Sequence, residues 1–372
     1  MSVDEVAVTG SVCLLGYYLL TWIRVGMDPA KGAIVPRHHP PEGISPGAAR
    51  YLLQMGYDAR CLAAVIVNLG VHGWLTLHEN KEVYRARRGD STDRNGLTNE
   101  EVKLAKSLFG TRKRLRFKSV NRPVITHLLQ AHRGALQRAY EKTHFVTNRL
   151  HWYPGIVILL GTVLGIAGVS ESPSEVLFVQ VWLAGWSLGI ALLGALVAAA
   201  WRRVFSGKDP GLSIPATLLL TAFAVPFLAG EGLAALELAR LTSRLTVSLV
   251  IAMAFALLAF YHLLRAPTLL GRRAMDELEG FRAYLAGAGD GRTRTLHAPA
   301  LTPDLFERYL PYALALEVEA EWAGAYAAAR GPVPPHEGQA DGHWFQSRWD
   351  STVGSTVYSG TIGDALTAAI ST

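Results

Sequence analysis

Long charge-free runs set the rhythm of this chain. Val6–Ile23, His151–Val169, Val176–Trp201 and Leu245–Leu264 lack Asp, Glu, Lys and Arg, and Leu212–Ala229 does too while carrying Pro215 and Pro226. A membrane-crossing helix needs about 20 mostly apolar residues, so these five runs read as spans. A sixth uncharged stretch, Cys61–Leu77, reads differently. It holds Asn68 and His72, both costly at mid-bilayer, and Gly70 and Gly73 interrupt its helical pattern. Asp58 is placed to cap a helix in which Cys61, Val65 and Leu69 recur at i, i+4 and i+8, with Gly70 at the position after its end. "GWLTLHE" then opens an alternating strand. This stretch therefore predicts a soluble helix and strand with a dry interior.

The same patterning organises the region around it, 40–149, as α-α-β-β-α-β-α. Ser45 caps a first helix with Pro46 at its first position and Ala48, Tyr51, Leu52 and Met55 along one face, ending at Gly56. The second helix is Asp58–Leu69. Strands Trp74–Glu79 and Val83–Arg87 flank the dipeptide "NK". "LTNEEVKLAKSLFG" starts with a capping box from Thr98 to Glu101 and stops at Gly110. "RLRFK" alternates basic and apolar residues, and an amphipathic helix runs from Asn121 to about Thr147. Two helices followed by a two-stranded wing outline a winged helix. After the last span, "RRAMDELEGFRAYLAG" is amphipathic, and "TPDLFERYLPYALALEVEAEWAGAYAAAR" reads as two helices divided at Pro311. In the latter, Leu314, Val318 and Trp322 form a stripe, while Glu317, Glu319 and Glu321 mostly face water. The tail, 331–372, is rich in Gly, Ser and Pro and reads as mostly without structure.

Composition agrees. Charged residues make up 18% of the 372, against about a quarter in an ordinary soluble protein. Basic residues near span ends mark the cytoplasmic side. Arg24, Lys31 and Arg37 follow the first span, Arg202, Arg203 and Lys208 the third, and Arg265, Arg272 and Arg273 the fifth. Asp4, Glu5, Glu171 and Glu175 mark the opposite ends. Five spans with the N-terminus outside satisfy this pattern, and a sixth at Cys61–Leu77 would reverse it for every later loop. The acidic head is not a secretory signal, so the first run reads as a retained anchor. The expected fold is mainly α: a multi-pass helical membrane protein of about five spans (6–25, 151–169, 176–200, 212–229 and 245–264). A winged-helix-like α+β cytoplasmic domain would occupy 40–149 and a cytoplasmic helical segment 271–330.

Three stretches carry a family resemblance: "ARYLLQMGYDARCLAAVIVNLGVHGWLTL", "LTNEEVKLAKSLFG" and "GFRAYL…LTPDLFERYLPYALALEVEAEWA". They resemble the domain of unknown function 2207 (DUF2207) family of predicted prokaryotic membrane proteins, over roughly 40–153 and 271–329. The resemblance implies a prokaryotic plasma membrane, and an extracytoplasmic domain ahead of the first span, where this chain has about five residues. It implies no activity.

Chemistry is sparse. The sequence has no Walker loop, HExxH, CxxC or GxSxG, and neither His38–His39 nor His336 with His343 has a matching carboxylate or thiolate set. No catalytic, cofactor or metal residue is assigned, and the protein reads as a non-enzyme. The spans hold no convincing Asp, Glu, Lys or Arg, which disfavours a transporter. From Arg24 to Arg149 there are 22 Lys and Arg against 10 Asp and Glu, a net +12. That charge gathers in "RARR" (Arg85–Arg88) and "TRKRLRFK", where Arg112, Lys113, Arg114, Arg116 and Lys118 are the candidate surface for anionic lipid headgroups or a protein partner. Nucleic acid is disfavoured, because the would-be recognition helix offers only Arg60 and Asn68. Gly161 with Gly165, and Gly185 with Gly189, have the spacing that lets membrane helices pack closely, within one chain or between copies of a homo-oligomer. Two readings stay open: a scaffold or signalling component that recruits cytoplasmic partners, and a membrane-tethered nucleic-acid-binding regulator.

Overall fold

The computed structural model describes residues 1–80, 83–91, 93–110, 112–117, 121–205, 210–287, 299–330, 345–347 and 362–371. Its helices in chain order are α1 (Val3–Thr21), α2 (Pro46–Leu53), α3 (Ala59–Val71), α4 (Asn99–Phe109), α5 (Arg122–Tyr140), α6 (Tyr153–Val169) and α7 (Pro173–Phe205). They continue as α8 (Pro210–Leu241), α9 (Arg244–Leu263), α10 (Leu269–Gly287), α11 (Pro303–Ala315), α12 (Glu319–Arg330) and α13 (Ile362–Ser371). Strands β1 (Leu75–Asn80), β2 (Val83–Arg88) and β3 (Arg114–Phe117) join the short strand Phe345–Ser347 in one sheet. The chain forms two compact units, Met1–Met27 with Asn148–Ala266 and Asp28–Thr147 with Pro267–Thr372.

The first unit is built from apolar helices. Among the described residues, four segments are long and apolar enough to cross a membrane: Val3–Gly26, Pro173–Arg202, Ile214–Leu241 and Arg244–Leu263. Tyr153–Val169 is apolar but shorter, at 17 residues. Only 11% and 6% of the apolar windows in α7 and α8 are buried. Such surfaces are costly in water and suited to hydrocarbon. α1 is the best-covered of these helices, with Ala7, Leu14 and Tyr18 buried against α6 and α9. Its fit depends on two glycines. A Cβ on Gly10 would lie 2.1 Å from the Thr162 hydroxyl oxygen, and one on Gly155 would lie 2.0 Å from that of Tyr18. The Tyr18 hydroxyl donates to the Trp152 carbonyl at 2.8 Å, and its ring stacks on Phe260 at 4.7 Å. Asn148 closes this unit locally by donating to the carbonyls of Val25 and Leu264.

α8 departs from expectation. It runs through Pro215 and Pro226 and past Ala229 to Leu241; proline is tolerated inside helices of the membrane-spanning kind. Glu231 thus lies inside a candidate span rather than after it. There it accepts a hydrogen bond from Ser187, near the middle of the uncharged run Val176–Trp201.

The second unit is organised around α3. Asp58 caps α3, accepting from the Cys61 N–H at 3.1 Å. Every residue from Cys61 to Gly70 is buried, among α2, α11 and α13. At 13 residues and about 1.5 Å rise per residue, α3 is about 20 Å long, well short of the ~30 Å hydrocarbon core. Its two polar liabilities are answered inside the fold: Asn68 donates to Glu101 at 2.8 Å, and His72 bonds the Asn68 carbonyl. α3 continues past Gly70 to Val71, and the turn that closes it has Gly73 in the left-handed position, with φ of 72°. The Trp74 N–H to Leu69 and Gly73 N–H to Gly70 bonds complete that turn.

Three further differences have local causes. α2 ends with Met55, not Gly56, in the left-handed conformation; the Gly56 N–H reaches Tyr51 and the Met55 N–H reaches Leu52. α11 passes through Pro311, and its break comes at Glu317, with φ of 59°. Bonds from Val318 to Ala313 and Glu317 to Leu314 close a Schellman turn there. α5 stops at Tyr140, short of Thr147, where Lys142 takes a φ of 75°. The tail also carries structure, because Leu366 and Ile370 of α13 are buried against the core around α3.

Candidate anion-binding surface

The sheet positions the charge. β1 and β2 form an antiparallel hairpin, and β3 pairs antiparallel with β2 at the sheet edge, in the order β3, β2, β1, Phe345–Ser347. Side chains alternate between faces along a strand. Leu75, Leu77, Tyr84, Ala86, Leu115 and Phe117 point into the core. The intervening residues therefore share the opposite face, and the register sets Arg85 across from Arg116 and Arg87 across from Arg114. On β1, His78 stands across from Arg85 and Thr76 across from Arg87.

The two basic segments read separately in the sequence thus become one cluster. Arg114 and Arg116 are exposed on β3, and Arg112 and Lys113 are exposed just before it; Lys118 lies outside the described residues. Arg85 and Arg87, which the sequence alone did not place on the candidate surface, complete the cluster. Their signal was the matching period-2 spacing of "RAR" and "RLR", whose pairing only the register supplies. Among the described residues, no carboxylate forms an ion pair with any of these four arginines, and the Nε of Arg85 is buried without a hydrogen-bond partner. Like charges directly opposite across strands destabilise a sheet.

Elsewhere in this unit, two buried arginines are balanced by carboxylates. The buried Arg50 guanidinium donates from Nε to both Asp58 oxygens, at 2.8 and 2.7 Å, and from a terminal nitrogen to the Ala315 carbonyl and to Glu317. Burial works against its charge, but Asp58 and Glu317 outweigh that and hold it above its ordinary range. Glu317 also pairs with Arg60 at 3.3 Å, so it does not simply face water. Arg272 is held in the same way by Asp276 and Glu279.

Two buried titratable groups of this unit are poor reagents. Burial pushes the Cys61 thiol up to about 12, away from nucleophilic use. Burial lowers His132 to about 4; its Nδ1 meets the Tyr57 hydroxyl at 3.0 Å, and its Nε2 is buried without a partner. Among the described residues, no group of three or more His, Cys, Asp or Glu could hold a metal ion. The glycine pairs divide: Gly165 meets Val6 of α1, while Gly161, Gly185 and Gly189 have open space where a Cβ would project.

No curated protein and no solved structure matches this chain. The family model described as "Predicted membrane protein (DUF2207) C-terminal domain" matches residues 35–214 and 208–326. Those matches cover α6–α9 and most of the helical and sheet elements of the second unit but not α1, and the chain belongs to the DUF2207 family of predicted membrane proteins.

Proposed function

We propose that this protein is a multi-pass membrane scaffold or signalling component, working without catalysis, whose sheet face binds anionic lipid headgroups. The observation that carries this reading is the cross-strand array of Arg85, Arg87, Arg114 and Arg116 with no described acidic partner. In this reading α1 and α6–α9 cross a prokaryotic plasma membrane with the N-terminus outside, and the second unit is cytoplasmic, where the leaflet is negative. Each basic residue near such a surface is worth about 1 kcal/mol, so the four arginines supply about 4 kcal/mol. The tethered nucleic-acid reader is the weaker reading, because α3 is buried along its length and has no free face for a groove.

The test uses the full chain in neutral-lipid nanodiscs, mixed with vesicles. It should float with anionic vesicles and not with neutral ones, and added salt should release it. Replacing the four arginines with Gln should abolish flotation without lowering the melting temperature. Equal flotation of the variant would refute the reading, and a tight, sequence-selective DNA complex at physiological salt would favour the other.

A further inference from the structure

The arginine array has a defined size. Residues directly opposite in an antiparallel pair have Cβ atoms about 4.5–5.5 Å apart, and alternate residues along a strand are about 6.8 Å apart. Arg85, Arg87, Arg114 and Arg116 therefore root at the corners of a rectangle about 5 by 7 Å. Their stems rise from hydrogen-bonded strands anchored beneath by Tyr84, Ala86, Leu115 and Phe117. A site carried on strands is held more firmly than one on a loop.

Size and charge together select a ligand. A guanidinium presents a planar fork that matches two phosphoryl oxygens. Four of them within this rectangle carry four positive charges. A phosphodiester carries about −1 and leaves most of the array unbalanced, whereas a diphosphate headgroup adds a terminal phosphoryl of about −1.5 to −2 at neutral pH to an inner one of about −1 and comes much closer to neutralising it. The exposed flanking residues Arg88, Arg112 and Lys113 supply the broader field that attracts any anion.

We infer that the sheet face is a binding site for a lipid carrying a diphosphate headgroup, with each phosphoryl group held by one cross-strand arginine pair: Arg85 with Arg116, and Arg87 with Arg114. This deepens the anionic-lipid reading and rests on it. The occupant is lipid-borne because the chain belongs to a membrane-protein family.

The test measures binding to the full-length protein in detergent micelles by native mass spectrometry. The probes are farnesyl diphosphate and farnesyl monophosphate, which share one tail, and inorganic pyrophosphate. The diphosphate lipid should bind at least about tenfold more tightly than the monophosphate, a difference of about 1.4 kcal/mol. Arg87→Gln with Arg114→Gln should erase that preference while leaving the melting temperature unchanged, since both side chains are exposed. Inorganic pyrophosphate should bind more weakly than the lipid. Equal binding of the two farnesyl probes, or a preference that survives the double substitution, overturns the inference while leaving headgroup attraction intact. Equal or tighter binding of inorganic pyrophosphate overturns the lipid assignment. Failure of both farnesyl probes to bind, with failure to float on anionic vesicles, overturns the underlying reading as well.

Discussion

Two charge-free stretches of this chain meet opposite fates. Cys61–Gly70 is buried residue by residue inside the second unit, whereas the helix carrying Val176–Trp201 has most of its apolar surface uncovered. Hydropathy alone does not separate them; length and partners do. α3 has 13 residues and is surrounded by helices, while α7 has 33 and leans mainly on α8. The polar residues differ in kind as well: Asn68 is satisfied by Glu101, a residue the second unit supplies from α4.

The sharpest way to break this comparison is to place a charge in each stretch. Val65→Asp buries an unpaired carboxylate at a fully buried site and should cost about 3–5 kcal/mol, enough to unfold the second unit. Rapid proteolysis of that unit in the full-length protein is the expected readout. Leu188→Asp, on the exposed face of α7, should leave the second unit resistant and impair membrane insertion instead.

Glycine substitutions give a smaller contrast within the first unit. Gly155→Ala drives a methyl group into the Tyr18 hydroxyl, disturbing its bond to Trp152, and should cost about 1–3 kcal/mol. Gly185→Ala and Gly189→Ala meet nothing in this chain and should leave the melting temperature in detergent unchanged or slightly raised.

A third prediction concerns pH and only the second unit. Burial lowers His132 from its ordinary 6.5 to about 4. The unfolded chain therefore binds a proton between about pH 6.5 and 4 that the folded unit refuses, and stability is lost as pH falls through that window, by up to about 3 kcal/mol. Burial raises Glu100 and Glu101 instead, so their contribution has the opposite sign and is lost as pH rises above the ordinary carboxylate range. Melting curves of wild type and His132→Gln across this range separate the two. The variant should lose the acid-side decline attributable to His132, and an unchanged pH slope would refute that assignment.

Local signals were legible in the sequence where one side chain decides the backbone. The Asp58 cap and the Thr98–Glu101 capping box form as their spacing implies, and the alternation in "RLRF" gives the expected buried and exposed faces. Helix ends were harder to read, because tertiary packing chose Gly73, Met55 and Glu317 for the left-handed closing positions. Glu317 is held there in part by Arg50 and Arg60, far away in sequence. Proline misled once, at Pro311, which is buried inside a helix that runs through it. The union of 28–147 with 267–372 left no local trace. The arginine array was half legible: both basic segments stand out, but their pairing depends on a register that spans α4.

The measurement closest to the central claim asks on which side the residues after Cys61–Leu77 lie. In a Cys13→Ser background, with Cys61 buried, cysteines placed at Ser172 and Ser91 are treated with an impermeant thiol reagent on intact cells. The account predicts that Ser172→Cys reacts and that Ser91→Cys reacts only after lysis. Labelling of Ser91→Cys on intact cells would mean that Cys61–Leu77 crosses the membrane, and the comparison above would fall.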